Sequence, residues 1–131
     1  MGPRAGLAAA MAGILMTDIQ KAIACWHEAG LRFDIKQFDH RLMAQKLTYL
    51  LQELGVRLGY EDTFSFYLRG TYSPALTKDL FRAHDAKQDR AEVTLTGADK
   101  ARVAKLRTAV DLRPHVLEVM AAYRLDRKSV V

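Results

Sequence analysis

A single cysteine, Cys25, is all that the chain contains. No internal disulfide can form, and a cysteine-based zinc site is excluded. One thiol suits a reducing compartment, so the expected location is cytoplasmic. The histidines are scattered: His27, His40, His84 and His115 have no ligand spacing between them. Cys25 and His27 are two residues apart, which on a helix turns them to different sides. Neither a metal nor a cofactor is expected. No glycine-rich run precedes a helix, so a phosphate loop is missing. A nucleophile elbow is missing too, because Ser73 stands in Gly70-Thr71-Tyr72-Ser73-Pro74 and reads as a helix cap. Asp79 and His84 are five residues apart and do not share one helical face as an i, i+4 pair would. The chain is therefore not expected to be an enzyme. Long apolar runs are also absent. The Ala-rich stretch from Leu7 to Met16 is too short to span a bilayer, and no membrane partner is expected. With Arg4 before it, this stretch loosely resembles a secretory leader, but Ala8-Ala9-Ala10 falls inside the apolar run instead of after it.

What is present is an ordinary folding composition. A length of 131 residues, 50% hydrophobic and 27% charged, suits one domain with one core. Residues 1–16 read as an N-terminal extension or the start of the first helix, and residues 17–131 as a single helical domain. The formal charge of +5 is unevenly placed. Residues 1–65 carry seven basic and seven acidic side chains, whereas residues 66–131 carry thirteen and eight. A basic second half points weakly toward a polyanionic partner, and a solvated surface explains it as well.

The periodicity predicts an α+β fold that is mostly α. Five helices surround a central one, with a small two-stranded antiparallel element, winged-helix-like at most. Thr17-Asp18-Ile19-Gln20 has capping-box spacing and opens a first helix over about 18–29, with Gly30 as its stop. Asp39 is the cap candidate for the central helix, 40–54. Its stripe is Met43, Leu47, Leu50, Leu51 and Leu54, and Gly55 ends it. Lys46 and Glu53 fall on its expected outer side. Phe64, Phe66 and Leu68 alternate with polar residues as a strand, and Leu58 and Tyr60 are its expected partner. Ser73-Pro74 opens a third helix with Leu76, Leu80 and Phe81 as its apolar face. Thr96 with Asp99 caps a fourth helix, and Pro114 opens a fifth.

The run from Phe38-Asp39 through Gln45-Lys46-Leu47-Thr48-Tyr49-Leu50 and Gly59-Tyr60 to Tyr67-Leu68-Arg69-Gly70-Thr71-Tyr72-Ser73-Pro74 resembles the uncharacterised YwgA-like family. It is more distantly similar to the SocA-like, or Panacea, antitoxin domain. The likeness covers roughly 45 residues. The family turn usually reads Gly-Pro-Tyr-Ser, and here Thr71 replaces the proline, which leaves φ unfixed. The resemblance implies an antitoxin-like or adaptor-like role through protein contact, and it supplies no catalytic residues.

Five of the eleven aromatic residues lie within the thirteen positions from Tyr60 to Tyr72. Alternation sends Phe64 and Phe66 inward and leaves Tyr67 and Tyr72 beside Arg69. Tyr and Arg are enriched at binding hot spots. The expected protein-binding surface is therefore Tyr67, Arg69, Tyr72, Lys78 and Arg82, with Tyr72 packed under its turn as the plainer alternative. A protein partner is expected, and a homodimer is compatible. The rival reading is a winged-helix DNA-binding regulator. Its nucleic-acid contacts would be Lys78 and Arg82 on the third helix and Lys100, Arg102, Lys105 and Arg107 on the fourth. Against it, the connection between the second and third helices is too long for a helix-turn-helix.

Overall fold

The computed structural model describes residues 18–67, 70–89, 94–109 and 121. These form four helices and one pair of short strands. In chain order they are α1 (Asp18–Glu28), α2 (Phe38–Glu53), β1 (Ser65–Tyr67), β2 (Gly70–Tyr72), α3 (Pro74–Asp85) and α4 (Gly97–Ala109). The fold is α-rich. The expected helix beyond Pro114 lies outside the described residues, apart from Ala121, which is buried in the core.

Helix α2 is central because nothing along its middle reaches solvent. Every residue from Met43 to Leu51 is buried. Helix α1 packs against α2, α3 and α4 and buries Ile19, Ala22, Ile23, Cys25 and Trp26. The Trp26 indole is wholly buried, and its Nε1 donates to Thr48 Oγ1 at 2.8 Å. Thr48 in turn donates to the Ala44 carbonyl at 2.8 Å, so a buried hydroxyl and a buried indole satisfy one another. Phe33 tilts against Trp26 with the ring centroids 5.0 Å apart.

Local chemistry sets most boundaries. Ser73 caps α3, its Oγ accepting from Leu76 N at 3.2 Å, and Pro74 takes the first helical position. Thr96 Oγ1 accepts from Asp99 N at 3.1 Å and opens α4. Gly55 ends α2 at φ +102, a conformation that costs other residues energy. Asp39 is not the cap of α2. The helix starts at Phe38, two residues before the expected start, Gln37 holds the cap position without a side-chain bond, and Asp39 lies in the first turn.

Three further expectations are corrected. Leu58 and Tyr60 do not pair with the aromatic strand. Ser65–Tyr67 pairs antiparallel with Gly70–Tyr72, with Phe66 opposite Thr71. Side chains already occupy the backbone donors of the earlier segment: Leu58 N donates to Glu61 Oε2 at 3.2 Å and Tyr60 N to Gln52 Oε1 at 2.9 Å. Gly59, at φ +87, also breaks any extended run there. Lys46 is not on an outer face. It is 1% exposed, because β2 covers that side of α2 and the Thr71 carbonyl accepts from its ammonium. Phe81 does not face inward either. It is 42% exposed, since α3 buries the stripe of Leu76, Leu80 and Ala83 and turns Phe81 away from it.

Candidate functional site

Two neighbouring arrangements occupy the seam between α2 and α3, and they differ in chemistry. The first is a polar clamp. Gln45 reaches across to the strand-to-helix turn, donating from Nε2 to Ser73 O at 3.1 Å and to Thr77 Oγ1 at 2.7 Å. Its Oε1 accepts from Ser73 N at 2.8 Å. Gln45 and Ser73 are both buried, so this pairing satisfies backbone groups that water cannot reach. Lys46, the next residue, holds the Thr71 carbonyl. Thr63 Oγ1 and Ser73 Oγ share a 2.6 Å bond, and Thr63 also donates to Tyr60 O at 2.7 Å. The Gln-Lys pair and the Ser-Pro turn are thus two halves of one backbone lock. The job of these residues is structural.

The second arrangement is a mainly apolar groove that adjoins the clamp, sharing Gln45 and Thr77 with it and running toward the start of α2. A pocket of about 70 Å³ opens between the helices. Buried Trp26, Ala44, Leu76 and Leu80 contribute to its lining, with Phe38, Arg41, Leu42 and Tyr72 nearer solvent. The Arg41 guanidinium lies over the Phe38 ring at 5.5 Å and over the Phe81 ring at 5.9 Å. The two rings hold the cation by their π faces. Phe38 and Phe81, at 47% and 42% exposed, are the large exposed hydrophobics of the described residues. The spacing Phe38, Arg41, Leu42, Gln45 puts all four on one face of α2.

The expected surface residues distribute unevenly around this groove. Tyr72 lines it and is half-buried, its hydroxyl accepting from Thr77 Oγ1 at 2.7 Å. Lys78 and Arg82 are exposed on α3, flanking Phe81 in sequence. The side chain of Tyr67 and the whole of Arg69 lie outside the described residues. Phe64 is half-buried and meets Tyr49 edge-on with centroids 5.4 Å apart. Sequence reasoning missed Phe38 and Arg41 and misplaced Phe81. The usable signal was the aromatic-to-arginine i, i+3 spacing at the start of α2.

No family model, no curated protein and no solved structure matches this chain.

The basic residues of α4 divide into two pairs. Arg107 donates to the Glu28 carbonyl at 3.4 Å, at the C-terminal end of α1, where a cation offsets the helix dipole. Arg102 pairs with Asp99 at 3.4 Å and lies against Gly55, just past the end of α2. Lys100 and Lys105 are exposed. Asp99 is buried and also meets Lys21 at 3.3 Å, which ties α4 to α1.

The remaining reactive groups are occupied or suppressed. Burial pushes the Cys25 thiol up to about 12, far from a reactive thiolate. Tyr60 donates to Asp79 Oδ2 at 2.7 Å, and burial followed by that bond raises its phenol. Asp18 borders an open cleft with Glu61 and lies so close to Gly59 that a Cβ there would collide with its carboxylate. Burial, then the charges of Glu61 and Asp79, hold the Asp18 carboxyl above its usual range, against the pull of Lys21. His40 Nδ1 accepts from Asp34 N, and His84 pairs with Asp89 at 2.7 Å. Among the described residues no three His, Cys, Asp or Glu side chains converge as a metal site. None of the described helices is long and apolar enough to cross a membrane.

Proposed function

We propose that this chain is a non-enzymatic interaction module that binds a protein partner through the groove between α2 and α3. The observation that carries the reading is the pair of exposed phenyl rings, Phe38 and Phe81, set on Arg41 beside an apolar pocket. Exposed aromatics clustered with an arginine are the composition of an interface centre, whereas an isolated surface phenylalanine is not. Tyr72 at one end of the groove, with Lys78 and Arg82 on α3, extends the surface. The likeness to SocA-like domains supports an antitoxin-like or adaptor-like setting. The reading includes a fifth helix opened by Pro114 and a cytoplasmic location that suits the single thiol.

The rival is a DNA contact through Lys78, Arg82, Lys100 and Lys105, and the exposure of these four cations favours it. Arg102 and Arg107 add less to that reading, because each is engaged at a helix end.

A photo-crosslinking residue at position 81, with position 104 on the exposed side of α4 as control, separates the two. A discrete protein adduct from 81 and none from 104 is expected. The purified protein is also titrated against random duplex DNA at low and at moderate salt. Micromolar binding that falls steeply with salt, without a protein adduct at 81, would overturn the reading in favour of the rival.

A further inference from the structure

Building on the protein-binding reading, we infer that the groove takes a peptide segment carrying a carboxylate close to a large aliphatic side chain. The carboxylate goes to Arg41 and the aliphatic group enters the pocket beside it.

The argument starts from Arg41. A guanidinium has five N–H donors arranged in a plane. One nitrogen of Arg41 donates to the Ile35 carbonyl, and its guanidinium carbon lies 5.5 Å from the Phe38 ring centroid and 5.9 Å from that of Phe81. Among the described residues no acidic side chain pairs with Arg41. A half-buried arginine in that state is stabilised by π faces and one carbonyl, with its remaining edge open for charge-assisted bonds. Carboxylate is the group whose geometry fits that edge, as a bidentate pair. The two ring contacts and the bond to Ile35 restrict the fork in advance, so less side-chain entropy is lost when the acid arrives.

The pocket supplies the second half. Its lining contains one cation, Arg41, and no carboxylate. The charge at the groove is therefore complementary to an acidic ligand. A volume of about 70 Å³ is of the order of one aliphatic side chain, and the lining of Trp26, Leu42, Leu76 and Leu80 is apolar. Lys78, three residues before Phe81, adds positive potential on α3. Asp85, four residues after it, sits on the same stripe and disfavours acids that extend past Phe81.

The test uses a displayed library of random twelve-residue peptides selected against the whole chain, followed by anisotropy titration of labelled synthetic peptides. Enriched peptides should carry Asp or Glu within about one helical turn of Leu, Ile, Met or Phe. Arg41→Gln should weaken them by about tenfold to hundredfold. Arg41→Lys should recover only part of that loss, since a point charge neither stacks nor chelates equally well. Changing the peptide acid to its amide should give a similar loss on the unaltered protein, which guards against a misfolded variant. Combined with Arg41→Gln, that change should add little further loss. Enriched peptides that Phe81→Ser abolishes but that lack an acid, or ignore Arg41→Gln, would overturn this inference and leave the protein-binding reading standing. A selection with no peptide sensitive to Phe81→Ser would overturn both.

Discussion

The two ends of the α2–α3 seam share helices and differ in what they leave unsatisfied. At the Gln45–Ser73 end the groups are polar, buried and bonded to one another. At the Phe38–Arg41–Phe81 end they are apolar or cationic and open to solvent. A buried polar network has no capacity left for a ligand, because every broken bond exposes an uncompensated group. An open aromatic cluster gains by being covered. The motif that catches the eye in the sequence therefore builds the scaffold, and the exposed aromatic and cationic side chains lie beside it.

Removing the clamp should cost the most. Gln45→Ala leaves the buried Ser73 N–H without its partner and the Ser73 C=O with only the long bond from Thr77 N, at 3.3 Å, and unfolding in urea should show a loss of roughly 1–3 kcal/mol. A loss below about 0.5 kcal/mol would mean that the turn is held elsewhere, and the contrast between the two ends would collapse. Tyr60 extends the clamp through Thr63, so Tyr60→Phe probes its margin. Deleting the bond to Asp79 should cost about 1.5 kcal/mol, read from the shift in the urea midpoint.

Phe81→Ser examines the other end. Stability should change by less than about 1 kcal/mol, the cation–π contact being the main loss, while the partner adduct or peptide binding disappears. A large loss of stability with binding retained would reverse the assignment of the two ends. Asp18→Asn gives the smallest effect and touches neither end. The folded chain holds the Asp18 proton to a higher pH than the unfolded chain, so ionising it opposes folding. The asparagine variant should be slightly more stable than the parent near neutral pH. The difference should shrink as the pH falls through the raised Asp18 value toward its ordinary 3.8, measured by urea midpoints across that range. An unchanged difference across that range would remove Asp18 as its source.

Much of the helical layout was legible because its signals are local. Ser73 bonds three residues on, to Leu76 N, and Thr96 three residues on, to Asp99 N. Such bonds can be read from spacing alone. The start of α2 was misjudged by two residues because Asp39 has a capping side chain yet the backbone turns helical before it. Of the expected binding surface, Tyr72 reaches the groove while Lys78 and Arg82 only border it. Phe81 looked like core because it completes an apolar stripe with Leu80, and periodicity does not say how wide a stripe the neighbours will cover.

By itself the sequence determined an α-rich chain, the caps at Ser73 and Thr96, the stop at Gly55 and the central place of the Met43–Leu51 stretch. Those features depend on bonds and periods spanning a few residues. Tertiary structure alone decided that Lys46 is buried under β2, that β1 pairs with Gly70–Tyr72, and that Arg41 meets the rings of both Phe38 and Phe81. Arg41 and Phe81 are forty residues apart in the chain, and only the packing of α3 against α2 brings the ring to the guanidinium.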